Sequence, residues 1–320
     1  MGYSRWTDKS GQDMQKILDN IMGYETWYDV DEDPYDKSKL KYNVEKVFSE
    51  NQSIELNGSQ VEFNMIKYEY EKLRPGATNE SMRTARIQNL SGLVVIYSDG
   101  ETTQYIINKS YTSNTLSTLR KINNCSKNSL ITEDRYNVSE DFFMWMIYKF
   151  LDKPGQALDE SEEIIIESII GFKGQTDDQL AEMSGNGNKI MNLISSLLFL
   201  FENESVSQLK TTIRWKKKNS SECLELYLSS NNTIDTDIDK YTGQYIFEDD
   251  ETRTANALLM ISLEIIPKMM AMYTTEKDDG TWSEKMKKEF FVKMVGEKIL
   301  TKLKEKLGYN QIEDADDLEC

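Results

Sequence analysis

The chain has 320 residues, with 55 acidic against 38 basic side chains for a net charge of −17, three cysteines and no histidine. The missing histidines exclude Ser-His-Asp and Cys-His nucleophile activation, histidine general bases and every metal site that needs imidazole. A 38% hydrophobic content is ample for a packed core, and the length suits about two domains.

Met1–Asp8 holds no apolar run of the secretory type, and the Gly2-based myristoylation pattern fails at position 6. The first expected element is a helix at Gln12–Met22, with Met14, Ile17, Leu18 and Ile21 on one face. The acidic loop Asp29–Pro34 follows, and Lys37–Phe48 reads as a helix through Leu40, Val44, Val47 and Phe48. Asn57-Gly58 between two extended runs predicts a hairpin, and Asp99-Gly100 a second, between Leu93–Tyr97 and Thr103–Ile107. Val138–Leu151 predicts a helix apolar nearly all round, with Asn137 and Glu140 at capping-box spacing. Pro154-Gly155 ends it.

Ile164–Ile170 predicts a buried strand, Gly171–Gly174 a turn, and Thr176–Met183 a short helix. Gly185–Asn188 then breaks the chain before an apolar helix at Lys189–Phe201. Strands are expected at Val206–Lys217 and Glu222–Leu228, joined by Asn219-Ser220. Ala255–Tyr273 carries Asn256, Glu264, Pro267 and Lys268, so it reads as a buried helix kinked at the proline, not a membrane span. Ser283–Leu307 is the longest helix, with Met286, Phe290, Met294, Leu300, Leu303 and Leu307 as its inner stripe. The order is mixed, not a regular β-α alternation. It predicts an α+β protein of two lobes, residues 1–155 and 156–320, with small antiparallel sheets and a C-terminal lobe rich in buried helices.

Cys125, Cys223 and Cys320 are odd in number and widely spaced, which fits reduced thiols in a cytoplasmic protein. The Asn-x-Ser/Thr triplets are a by-product of an Asn- and Ser-rich composition, itself suggestive of an AT-rich bacterial or phage genome.

Candidate sites are few. Gly171–Thr176 after a strand could cradle an anion, with Lys173 as counter-charge, although the Walker spacing is absent. A plain turn explains the same residues. Asp29-x-Asp31-x-Asp33 and Asp235-x-Asp237-x-Asp239 lack the Gly and Glu of a calcium loop, so they read as solvated acidic loops and no metal or cofactor is expected. On the strand before Asn219, Leu209, Thr211, Ile213 and Trp215 point one way. Lys210, Arg214 and Lys216 point the other and, with Lys217 and Lys218, form a cationic strip for a phosphate backbone or an acidic partner. Pairing with Glu222 and Glu225 of the next strand is the plainer reading. Glu264 has Lys268 four residues later, which suggests a partly exposed helical pair.

Acids crowd Gln156–Gly185 and Asn231–Glu251, surfaces that attract basic partners or imitate a phosphate backbone. Ser283–Leu307 carries eight lysines against four glutamates, and residues 313–319 are strongly acidic, so the two could dock within one chain or between copies. With no (D/E)-x-K nuclease element, the expected role is a non-enzymatic adaptor, assembly subunit or inhibitor in a larger complex. Nucleic-acid processing or antiviral defence is the expected setting, with a protein partner or homo-oligomer and no membrane. A carboxylate- and Mg²⁺-dependent hydrolase and a nucleic-acid binder using 210–218 are the alternatives.

Overall fold

The computed structural model describes residues 2–29, 31–125, 130–158, 163–175, 182–187, 194–201, 205–217 and 220–308. They form an α+β fold of two units. The first comprises residues 1–137, 231–235 and 245–264, the second 138–230, 236–244 and 265–320. The contiguous part of the first unit therefore ends at Asn137, earlier than residue 155, and two later segments return to it.

The first unit is built on an antiparallel sheet. In chain order its elements are β1 (Ser4–Asp8), α1 (Met14–Met22), β2 (Tyr42–Lys46), β3 (Gln52–Leu56), β4 (Ser59–Leu73) and the short α2 (Arg83–Arg86). Then come β5 (Ile87–Ser98), β6 (Thr103–Ile107), α3 (Ser113–Ile122) and β7 (Ile131–Glu133). The strand order is β2-β4-β5-β6-β1-β7, with β3 also on β4. In β4, Val61, Phe63 and Met65 bury one face, whereas Ile66, Tyr68 and Tyr70 bury the other. The second set joins Met14, Ile17, Leu18 and Ile21 of α1 and Leu119 and Ile122 of α3 in one core. Both expected hairpins form. Asn57 and Gly58 adopt φ of 51° and 73°, the left-handed pair of a two-residue turn between Leu56 and its partner Ser59.

The expected helix at Lys37–Phe48 does not form. Tyr42–Lys46 is a strand, with Tyr42 opposite Tyr70 and Val44 opposite Tyr68. Leu40, Val44 and Val47 fit a helical stripe, but Tyr42 and Val44 also alternate with Asn43 and Glu45. The long β4 offers an unpaired edge that only an extended segment can satisfy, and that demand outweighs local helix propensity. The Asp29–Asp33 loop is not simply solvated either. Asp33 is fully buried, and Arg86 donates to it at 2.7 Å.

The second unit begins with α4 (Glu140–Asp152) and continues with β8 (Ile164–Gln175), β9 (Glu182–Asn186), α5 (Ile194–Phe201), β10 (Ser205–Lys216) and β11 (Ser221–Ser229), while β12 (Ile234–Thr236) spans the division at residue 235. The unit's antiparallel sheet runs β11-β10-β8-β9. The buried helix α4 lies against β8 and β10. Its N-cap is Ser139, whose hydroxyl accepts from Phe142 N–H, not Asn137, which instead takes φ 58°. The expected turn at Gly171–Gly174 is absent. β8 runs through it, bonded to β9 on one side and to β10 on the other, and register shifts in the β10 ladder absorb the irregularity. The expected helix Thr176–Met183 lies outside the described residues up to 181, and Glu182 already begins a strand. Lys189–Leu193 of the expected apolar helix also lies outside them.

The last helices are α6 (Asp250–Met260), a π-turn at Ile261–Ile265, α7 (Ile266–Asp278), α8 (Glu284–Phe290), a second π-turn at Phe291–Val295, and α9 (Gly296–Leu307). The chain passes from the first unit to the second between Glu264 and Ile265. Pro267 lies in the first turn of α7 just after the π-turn, and the Leu263 carbonyl that its missing N–H leaves unbonded accepts from the Asn57 side-chain amide instead. By length and composition Asp250–Asp278 is apolar enough to cross a membrane, but 67% of its most apolar window is buried in the fold. Asp141 of α4 ties the second unit together. It accepts from Tyr273 OH at 2.7 Å, Trp282 Nε1 at 3.0 Å and Lys287 Nζ at 3.3 Å.

Candidate functional site

Lys173 sits within β8, with Ser184 on one side and Gln208 on the other, so it is not at the mouth of a turn leading into a helix. The expected anion cradle has lost its geometry. The strand face expected at 209–215 is present: Leu209, Thr211 and Ile213 are fully buried, and Trp215 nearly so. Its opposite face carries charges that are mostly compensated within the sheet. Lys210 Nζ lies 2.9 Å from Glu225, which also receives Lys240 at 2.9 Å. Burial alone would raise the Glu225 pKa, but bonds from Lys210 and Lys240 outweigh it and hold the carboxyl below its ordinary range. Arg214 meets Glu167 at 2.5 Å, and the Cys223 thiol approaches the same carboxylate. Burial and that carboxylate push the Cys223 pKa up, which disfavours the reactive thiolate.

Lys217 lies 4.0 Å over the Trp215 ring. Lys216 remains exposed at the end of β10. Lys218 lies outside the described residues. The strip is thus two ion pairs, a cation–π contact and one exposed lysine, not a continuous cationic surface. Glu222 does not join the pairing. It is fully buried on the inner face and accepts from Tyr241 OH.

Glu264 is 5% exposed, not the partly exposed half of a helical pair. Its Oε1 accepts the Asn57 N–H at 2.7 Å, and Asn57 Nδ2 donates to Leu263 O at 2.7 Å. The Ser262 carbonyl accepts from Arg5 Nη1 at 2.8 Å and from Tyr136 OH at 3.1 Å. Arg5 also pairs with Asp134 and stacks 4.1 Å over Tyr136. π-turns often mark functional sites. Here the loosened carbonyls are taken up by side chains of the first unit, so this cluster is structural.

Two clefts open in the first unit. One of about 530 Å³ is lined by Lys72, Lys109, Asn108, Thr112 and Asn114, and another of about 500 Å³ by Asp8, Lys16, Asn20 and Asn123. Among the described residues no three Cys, Asp or Glu side chains converge on a metal-binding position.

The most open apolar feature lies in α9. Leu300, Leu303 and Leu307 were expected as an inner stripe, yet they are 61%, 41% and 64% exposed. The helix packs on α5 through a different side. Phe201 crosses it at Gly296, where a Cβ would stand 3.3 Å from the ring. A stripe of the right period is therefore turned away from the core. Lys304 and Lys306 are exposed beside it and form no ion pair among the described residues. The sequence contained this stripe, but its helical period cannot say what covers it. Compared with known proteins, the chain matches no family model and no curated relative.

Proposed function

We propose that this protein works by binding another protein, as an adaptor, assembly subunit or inhibitor, and that α9 is the binding element. The observation that carries the reading is the exposure of Leu300, Leu303 and Leu307 on one helix face. Contiguous exposed apolar side chains are uncommon on surfaces that meet only water, and they mark interaction sites. Amphipathic helices commonly engage partners through anchors spaced three and four residues apart. A cytoplasmic setting is part of the proposal, supported by Cys223, which forms no disulfide among the described residues.

Quantitative affinity capture from the source cells tests it, using the intact chain and a Leu300→Lys/Leu303→Lys variant. The partner should be retained by the parent and lost by the variant, with melting temperature unchanged. Equal retention by both would move the binding site away from α9.

The nucleic-acid reading is weaker, because Lys210 and Arg214 already have carboxylate partners. The hydrolase reading has no convergent carboxylate set among the described residues to support it.

A further inference from the structure

The chemistry of the α9 partner follows from spacing and charge, and it rests on α9 being an interaction face. Leu300, Leu303 and Leu307 are related by i, i+3 and i+7, the seam of a two-helix pairing. Lys304 and Lys306 flank that seam at the positions that face a partner's flanking residues. Both are exposed, and neither has an ion pair among the described residues. Over Ser283–Leu307 the eight lysines against four glutamates give a net +4, in a chain whose total is −17. α9 is 12 residues long, or about 18 Å, enough for nearly two heptads of contact.

We infer that α9 pairs with an acidic amphipathic helix of another protein, leucine or isoleucine along its seam and Glu or Asp on both flanks. A second copy of this chain is a further occupant to separate: antiparallel pairing with Leu303 against Leu307 would set Lys304 against Lys304, whereas full overlap of two α9 helices sets Lys304 against Glu297. A chain that sediments alone as a dimer, and as a monomer in Leu303→Asp, would overturn the separate partner. A nucleic acid would satisfy the lysines but leave the three leucines in water. The acidic segment 313–319 of this chain has matching charge, so it is a competing occupant that the experiment must separate.

The test uses the full chain and two labelled synthetic helices of about three heptads, identical in their leucine seam. One carries Glu at the flanking positions and the other Lys. Fluorescence anisotropy should give at least about tenfold tighter binding of the acidic probe, weakening as salt rises. Leu303→Asp should abolish binding, and Lys304→Glu/Lys306→Glu should reverse the preference towards the basic probe. These side chains are exposed, so circular dichroism and the melting temperature should stay at parental values in each variant.

Equal binding of both probes, lost in Leu303→Asp, would keep α9 as an interaction face and overturn the acidic partner. Preference for the basic probe by the parent would overturn it too. No binding of either probe, together with partner capture indifferent to Leu300→Lys/Leu303→Lys, would remove both readings. Binding of the acidic probe only after Glu313, Asp314, Asp316, Asp317 and Glu319 are changed to their amides would assign the face to this chain's own segment, and overturn the separate partner.

Discussion

Asn57 holds φ at 51° at the tip of the β3–β4 hairpin, and its side-chain amide donates to Leu263 O in the π-turn. The two roles can be separated. Asn57→Gly keeps the left-handed backbone and loses only the amide bond, an expected cost of about 1 kcal/mol. Asn57→Ala loses the bond and also puts in the left-handed region a side chain without the local polar contacts that let Asn tolerate it, adding about 1 kcal/mol. Urea unfolding should rank parent above Asn57→Gly above Asn57→Ala. Equal losses in the two variants would mean that the turn carries no conformational demand.

Asp141 offers a second test at this scale. Burial would raise its pKa, but hydrogen bonds from Tyr273, Trp282 and Lys287 more than offset that and hold the carboxyl low. A carboxylate whose pKa is depressed by folding contributes stability above its unfolded pKa. That contribution fades as pH falls through the folded value. The protein should therefore lose stability below about pH 4, where free aspartate titrates. Asp141→Asn should cost about 1–3 kcal/mol at neutral pH and flatten that acid limb. An unchanged acid limb in the variant would assign the pH dependence to other carboxylates.

Between elements, the sharpest contrast is between aliphatic side chains of different helices. Leu197 in α5 and Ile261 in the π-turn are fully buried, whereas Leu300 in α9 is 61% exposed. Truncating Leu197 or Ile261 to Ala should cost about 2–5 kcal/mol through lost burial and a residual cavity. Leu300→Ala should stay within about 0.5 kcal/mol, as exposed positions do. Thermal or urea unfolding of the three variants checks this. A large loss for Leu300→Ala would show that its face is covered within the chain, and the binding role of α9 would fall with it. The strand at Tyr42–Lys46 carries the same lesson in another form. Its apolar spacing satisfies both periods, and the open edge of β4 decides between them.

For the molecule as a whole, charge is distributed unevenly, and the structure sorts which charges are spent. Lys210 and Arg214 are engaged by Glu225 and Glu167. Changing Lys210, Arg214 and Lys216 together to Glu would set like charges beside those carboxylates. The triple variant should lose stability while low-salt binding to duplex DNA stays at the parental level. A fall in DNA affinity, with the log–log salt slope flattened by about one unit per lost contact, would restore the strip as a phosphate-binding surface. The lysines around the α9 seam are different. Lys304 and Lys306 remain exposed beside exposed leucines, so a binding event with an acidic helix should be salt-sensitive at that one place.

The residues alone determined the α+β class, α1 with its buried face, both hairpins, the all-round burial of α4, and the inward face of β10. Each depends on interactions close in sequence: a capping oxygen, a left-handed Asn-Gly pair, a period of 2 or 3.6. Only tertiary structure decided the rest. It made Tyr42–Lys46, inside the expected helix, a strand because β4 had an edge to fill, and carried β8 through Gly171–Gly174 because strands lay on both sides. It buried Asp33 and Glu264 against Arg86 and Asn57, partners 53 and 207 residues away. It also turned the leucines of α9 outward. A helical stripe records that a face is apolar, but which surface covers that face depends on packing between elements far apart in the chain, and no local period encodes it.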